Sequence, residues 1–326
     1  MSGLIDVHHH IVPPFYLEEN RDRIASFRGG AVSPAWLNWS PEASLDAMNA
    51  HGVDAAVLSL STPGVWFGDN EAARRTSRRV NEYAAHLRSR HPGRFGFFAA
   101  IPLPDQQGSL EEIAYALDTL KAEGIGLLTN YGDAWLGDPR FDPVLEELNR
   151  RKCVVFVHPT APAACRNLMP GISPPMIEVP HDTTRAIVRL MLTGSLVRYR
   201  NIRFTFCHCG GTLPMVACRI AQYASVDLKS CAPDGVEAEI ARLNFDVAGT
   251  AYAPALAALR AIVPISQILF GSDHPYVPLG ETATGLKALG LSEADRTAIR
   301  RGNALRLLPG LEHIARPGKA ISEASS

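Results

Sequence analysis

Four histidines and one aspartate stand where short apolar segments end. His8 and His10 close the first run, Leu4-Ile5-Asp6-Val7. His158 follows Cys153 to Val157, His208 follows Ile202 to Cys207, and Asp273 follows Gln267 to Ser272. Each of these side chains can ligate a metal or carry a proton. Side chains alternate along a strand, so a His-x-His at a strand end turns both imidazoles to one side and leaves His9 on the other. Neutral imidazoles from His8, His10 and His158, with the Asp273 carboxylate, make a donor set for Zn²⁺ or Mn²⁺ with a position left for water or substrate. His208 is a further imidazole, able to ligate or to act as an acid/base beside the ion. Its neighbours Cys207 and Cys209 alternate away from it and have no second cysteine pair, so thiolate ligation is not expected.

These side chains meet only if the segments that carry them do. Strand-like runs cover Leu4 to Val7, Val53 to Ser61, Arg94 to Ile101, Gly124 to Asn130, Cys153 to Val157, Ile202 to Cys207, Leu243 to Ala248 and Gln267 to Ser272. Amphipathic segments lie between them, including Ser44–His51, Glu71–Arg90, Leu110–Lys121, Phe141–Arg151, Thr183–Arg198 and Thr212–Tyr223. This alternation implies parallel strands joined by right-handed crossovers. Eight of them predict a single-domain (β/α)8 TIM barrel over residues 1–309, with the five side chains at its C-terminal mouth. No Gly-x-Gly-x-x-Gly follows the first strand, which removes the dinucleotide-binding alternative.

Two long segments, Pro13 to Pro41 and Thr160 to His181, are expected as loops overhanging that mouth. The first carries Phe15, Tyr16, Phe27, Trp36 and Trp39; the second holds five prolines with Met169 and Met176. Asp182 is expected to cap a helix starting at Thr183, with His181 near the mouth. Gly210 and Gly211 permit close backbone approach or an unusual turn. Residues 310–326 lose periodicity and are expected as an extended or disordered tail. Strand four ends Leu127-Leu128-Thr129-Asn130, without the lysine or glutamate that would bridge two ions, so one ion per chain is expected.

At 326 residues, with 46% hydrophobic content and net charge −1, the chain has enough apolar content for a large core. Its charges are interspersed, which argues against a nucleic-acid partner. No leader-like segment opens it, and no apolar stretch reaches the roughly 18 residues a membrane helix needs. Six scattered cysteines predict free thiols in a soluble, cytoplasmic protein.

The chain resembles the amidohydrolase superfamily, in its aminocarboxymuconate-semialdehyde-decarboxylase-like branch, along nearly its whole length. The similarity is carried by Ile5-Asp6-Val7-His8-His9-His10-Ile11-Val12-Pro13-Pro14, Trp39-Ser40-Pro41-Glu42, Asn81-Glu82-Tyr83 and Phe95-Gly96-Phe97-Phe98-Ala99. It continues in Val157-His158-Pro159-Thr160, His208-Cys209-Gly210-Gly211-Thr212-Leu213-Pro214 and Gly271-Ser272-Asp273-His274-Pro275-Tyr276. Within the branch it is most similar to the 6-methylsalicylate decarboxylases, through Ala114 to Leu120 and Glu147 to Lys152. The resemblance implies His8, His10, His158 and Asp273 as metal ligands and His208 and Asp273 as catalytic residues. It implies Arg219 and Trp39 as substrate-binding residues, Arg219 acting in a neighbouring subunit's site. The muconate-type enzymes place an arginine just before the tryptophan that Trp39 matches; here Arg28 is the nearest basic residue, which argues for a monocarboxylate. The expected activity is metal-dependent, non-oxidative decarboxylation of a 2-hydroxybenzoate-type acid, with Zn²⁺ preferred over Mn²⁺, in a homodimer or higher even oligomer. The alternative is hydrolysis of an ester, lactone, amide or C–C bond with the same ligands.

Overall fold

The computed structural model describes residues 3–27, 32–165, 168–224 and 227–311. Eight strands form one sheet: β1 (Leu4–Ile11), β2 (Val53–Leu60), β3 (Phe95–Ala100), β4 (Gly124–Leu128), β5 (Val154–His158), β6 (Arg203–Phe206), β7 (Asn244–Asp246) and β8 (Ile268–Leu269). Each runs parallel to the next. The sheet closes on itself through Val7 N to Phe270 O at 3.0 Å, Asp273 N to His8 O at 2.8 Å and His10 N to His274 O at 2.8 Å. This is the expected (β/α)8 barrel. β-branched and aromatic residues drive it: Ile5, Val7, Val57, Phe98, Phe156 and Leu269 form one buried cluster with Leu307, Leu308 and Leu311. The Phe98 and Phe156 rings stack at 5.1 Å, and the ring of His8 stands 5.0 Å from Phe156, so the site rests on an apolar floor.

Outer helices include α1 (Pro14–Phe27), α2 (Pro41–His51), α3 (Asn70–Arg90), α4 (Pro174–Leu192), α5 (Leu213–Tyr223) and α6 (Ala253–Arg260). α2 shows how local sequence sets bounds. Ser40 Oγ accepts from Ala43 N at 3.0 Å at its start, and Gly52 takes φ 69° at its end, releasing the chain into β2.

Both expected loops prove partly helical. The first contains α1 and a short turn, Pro34–Leu37; the second gives way to α4 at Pro174. Their prolines misdirect the sequence reading. Pro174 and Pro175 occupy the first helical turn, where a missing N–H has no partner to lose, and Pro180 lies inside the helix. Asp182 is therefore not an N-cap but a fully buried residue in the body of α4. The helix expected over Thr183–Arg198 is two, α4 and Ser195–Arg198. Beyond Leu311 the expected tail lies outside the described residues, as does Arg28.

Candidate metal centre

His8, His10, His158 and Asp273 converge at the C-terminal ends of β1, β5 and β8, and one ligand atom from each lies within 4.8 Å of every other. His8 Nε2 and His10 Nε2 stand 3.0 Å apart, at 3.2 Å and 3.0 Å from Asp273 Oδ1. The three imidazole centroids are 4.8 to 5.2 Å apart. His9 turns the other way, to Asp6 Oδ2 at 3.0 Å and the His274 ring. The backbone brings the donors this close at Gly271, where a Cβ would stand 2.7 Å from His8 Cβ and 3.0 Å from that of Asp246.

The surroundings determine what these atoms can do. His8 Nδ1 donates to Asp246 Oδ2 at 2.9 Å, and His10 Nδ1 donates to the Ser59 carbonyl at 3.2 Å. Those two bonds fix the tautomers and leave both Nε2 lone pairs pointing at Asp273. Two imidazole nitrogens and a carboxylate oxygen this close need positive charge between them, supplied by a proton or by a metal ion. The electrostatics agree. Burial, then the neighbouring histidines, hold His10 and His158 below the ordinary imidazole range, His158 well below it, so both stand neutral as ligands must. Burial also opposes charge on His8, yet Cys207, Asp246 and Asp273 together raise its pKa well above the ordinary value. Burial pushes the Asp273 carboxyl up, but His8, His10 and His208 bring it well below the usual range. A three-nitrogen, one-oxygen donor set that demands positive charge fits a divalent ion.

His208 opens the turn after β6, with its Nε2 3.4 Å from Asp273 Oδ2. It touches the carboxylate rather than joining the four donors. His208, Cys209 and Asp273 take φ values of 54°, 55° and 64°. Such a backbone costs residues with side chains about 1–3 kcal/mol and is common at functional sites. Gly210 and Gly211 allow the turn: a Cβ at Gly211 would strike the Pro180 carbonyl, and one at Gly210 would come within 2.9 Å of Phe245.

Over this cluster lies a cavity of about 790 Å³. Ser61, Thr62, His158, His208, Asp273 and Tyr276 line it near the donors, and no lysine or arginine does so among the described residues. Trp39 is not in that lining; it packs 6.4 Å from Tyr83, while the more deeply buried Trp36 lies 6.0 Å from Tyr276. Arg219 is exposed on α5, its guanidinium 4.7 Å over Tyr223 and away from its own chain's cavity. His181 is exposed and bonded to the Ile177 carbonyl.

Two functional neighbours escape sequence reasoning. Asp246 serves His8 through Oδ2, and its Oδ1 accepts from the backbone N–H groups of His208 and Ala248, each at 3.0 Å. The only sequence signal is its position within the seventh strand-like run, Leu243 to Ala248, whose strand ends at Asp246 in the structure. Asp182 accepts from Thr129 Oγ1, from Asn130 Nδ2 at 2.7 Å and from Trp135 Nε1 at 2.8 Å, tying α4 to the end of β4.

A closed parallel barrel that gathers three imidazoles and a carboxylate at one mouth defines a class of metal-dependent enzymes. The chain belongs to the amidohydrolase family, whose profile matches residues 5–310. It is 37% identical to decarboxylase yanB of Aspergillus niger, over 94% of this chain and 87% of that one. It is 34% identical to the 6-methylsalicylic acid decarboxylase of Penicillium expansum, over 95% of this chain and 97% of the relative. Its fold matches the manganese-bound 5-carboxyvanillate decarboxylase of Novosphingobium aromaticivorans with a TM-score of 0.85 at 20% identity, covering 94% and 96% of the two chains.

Proposed function

We propose that this protein is a metal-dependent carboxy-lyase acting on a 2-hydroxybenzoate-type acid of the 6-methylsalicylate kind. The observation that carries the proposal is the donor set beside a cavity that no lysine or arginine lines among the described residues, in a chain more than a third identical to a decarboxylase along nearly all its length. When bound, the ion supplies Lewis acidity toward the carboxylate and its ortho oxygen. His8, His10, His158 and Asp273 would hold it, as Zn²⁺ or, as in the manganese-bound neighbour, Mn²⁺.

The chain's own residues manage the proton. Asp273, held ionised by its histidines, takes the phenolic proton and returns it to the ring carbon bearing the carboxylate. The bond from that carbon to the carboxylate then breaks, its electron pair restores the ring, and CO2 leaves with a phenolate behind. His208, 3.4 Å from Asp273 Oδ2, steadies the carboxylate and passes the proton.

The test is incubation of metal-loaded protein with hydroxybenzoates, esters and lactones, reading CO2 and phenol against acid release. Ester or lactone cleavage without CO2 would move the assignment to hydrolysis. We place the protein in the cytoplasm, a reading supported by its six free cysteines; no helix among the described residues is long and apolar enough to cross a membrane.

That no lysine or arginine lines the cavity among the described residues supports a homodimer or higher even oligomer in which Arg219 enters the partner's mouth and grips the substrate carboxylate. Arg219→Ala should then raise KM or abolish turnover with fold and metal intact. Mixing it with Asp273→Asn should restore part of the activity through hybrid dimers. A fully active monomer would refute the arrangement.

A further inference from the structure

Of the three imidazoles in the donor set, two are pinned by their rings and one is not. His8 Nδ1 is held by Asp246 and His10 Nδ1 by the Ser59 carbonyl. His158 Nδ1 has no partner among the described residues, and its Nε2 has only a 3.5 Å contact with Ser61 Oγ. Its ring must therefore be placed through its backbone. β6 pairs with β5 only as far as Val157, whereas β4 continues to His158. From there the end of β4 clasps the chain with three bonds. Thr129 N donates to the His158 carbonyl at 3.0 Å, Thr160 N donates to Thr129 Oγ1 at 3.1 Å, and Asn130 Nδ2 donates to the Thr160 carbonyl at 2.9 Å.

Both clasping side chains end on one carboxylate oxygen of α4. Thr129 Oγ1 and Asn130 Nδ2 donate to Asp182 Oδ2, while Trp135 Nε1 and Arg185 Nη1 hold Oδ1 at 2.8 Å and 3.4 Å. Thr129, Asn130, Thr160 and Asp182 are all buried. A buried carboxylate is a costly way to fasten a helix to a strand, since apolar packing does the same. What apolar packing lacks is direction, and this carboxylate aims two side chains at residue 160. We infer that Asp182 is a positioning residue for the metal centre. Through Thr129 and Asn130 it fixes the backbone from His158 to Thr160 and so delivers the third imidazole to the other donors. The inference rests on the metal-centre reading and on no particular substrate. The clasp lies wholly within one chain, so it is complete without a partner subunit.

The experiment measures the dissociation constant of Zn²⁺ by competition with a chelator, and melting temperatures with and without Zn²⁺. Asp182→Asn and Thr129→Val should each weaken Zn²⁺ binding about 10–100-fold and shrink the rise in melting temperature that Zn²⁺ produces. Should Asp182→Asn fail to fold, Thr129→Val decides alone. Thr184→Val is the control on the same helix. Thr184 Oγ1 accepts from Thr212 N at 2.9 Å and so fastens α4 to the turn after His208. Its loss loosens the helix without touching the clasp and should leave the affinity for Zn²⁺ unchanged. Variants at 182 and 129 that melt lower yet hold Zn²⁺ as tightly as the unaltered protein would make Asp182 a structural tie and overturn the inference. So would an equal loss of affinity in Thr184→Val, which would trace the effect to helix docking in general. An unaltered protein that binds no ion would instead bring down the metal-centre reading itself, and the inference with it.

Discussion

The two walls of the cavity are built on different terms. On the strand side each group is fixed by another. Asp246 orients His8, the Ser59 carbonyl orients His10, and Asp6 accepts from Ser272 N at 2.9 Å and Ser272 Oγ at 2.6 Å just before Asp273. On the helix side Met176, Met215 and Tyr252 are 69%, 77% and 54% exposed. Chemistry rests on the part of the fold that cannot shift without breaking bonds.

Removing one donor should break the strand side most severely. His158→Ala should lose ion and turnover together; elemental analysis should find about one ion per chain before the change and none after. His208→Ala comes next. It should keep the ion and lose about 10²–10⁴-fold in turnover; loss of metal would instead make His208 a ligand. Asp246→Asn should loosen the ion about 10–100-fold, with much of the rate returning at saturating metal. The smallest effect sharpens the contrast without touching activity. Burial pushes the Cys153 and Cys209 thiols up to about 12, whereas Cys218 is exposed on α5. A disulfide reagent at neutral pH should therefore label Cys218 first, and all six cysteines only after unfolding.

The strand side is the more legible in the sequence. His-x-His in β1, and His158 and Asp273 after apolar runs, obey a two-residue period that survives into the fold. A lone strand-end aspartate such as Asp246 carries no comparable mark, because its partner His8 lies 238 residues away. The helix side misleads because proline has two meanings. In Pro174-Pro175 it starts a helix, and in Pro180 it sits within one, so a stretch that reads as lid loop becomes the wall of the cavity. Asp182 follows from the same error: with α4 starting earlier, its carboxylate has no helix terminus to cap and turns to Thr129, Asn130 and Trp135.

The closure between β1 and β8 has a consequence for folding. Asp273 N donates to His8 O and His10 N to His274 O, so the seam that turns a sheet into a barrel runs through the backbone of His8, His10 and Asp273, whose side chains would hold the ion. An ion shared by His8, His10 and Asp273 thus cross-links the first and last strands of the chain. Opening the barrel along this line would then require giving up the ion as well as the hydrogen bonds, which would couple local unfolding of the seam to metal concentration. The amides of His10 and Asp273 would exchange slowly while metal is plentiful and faster as it is withdrawn, and the joint that completes the architecture would double as its metal gauge.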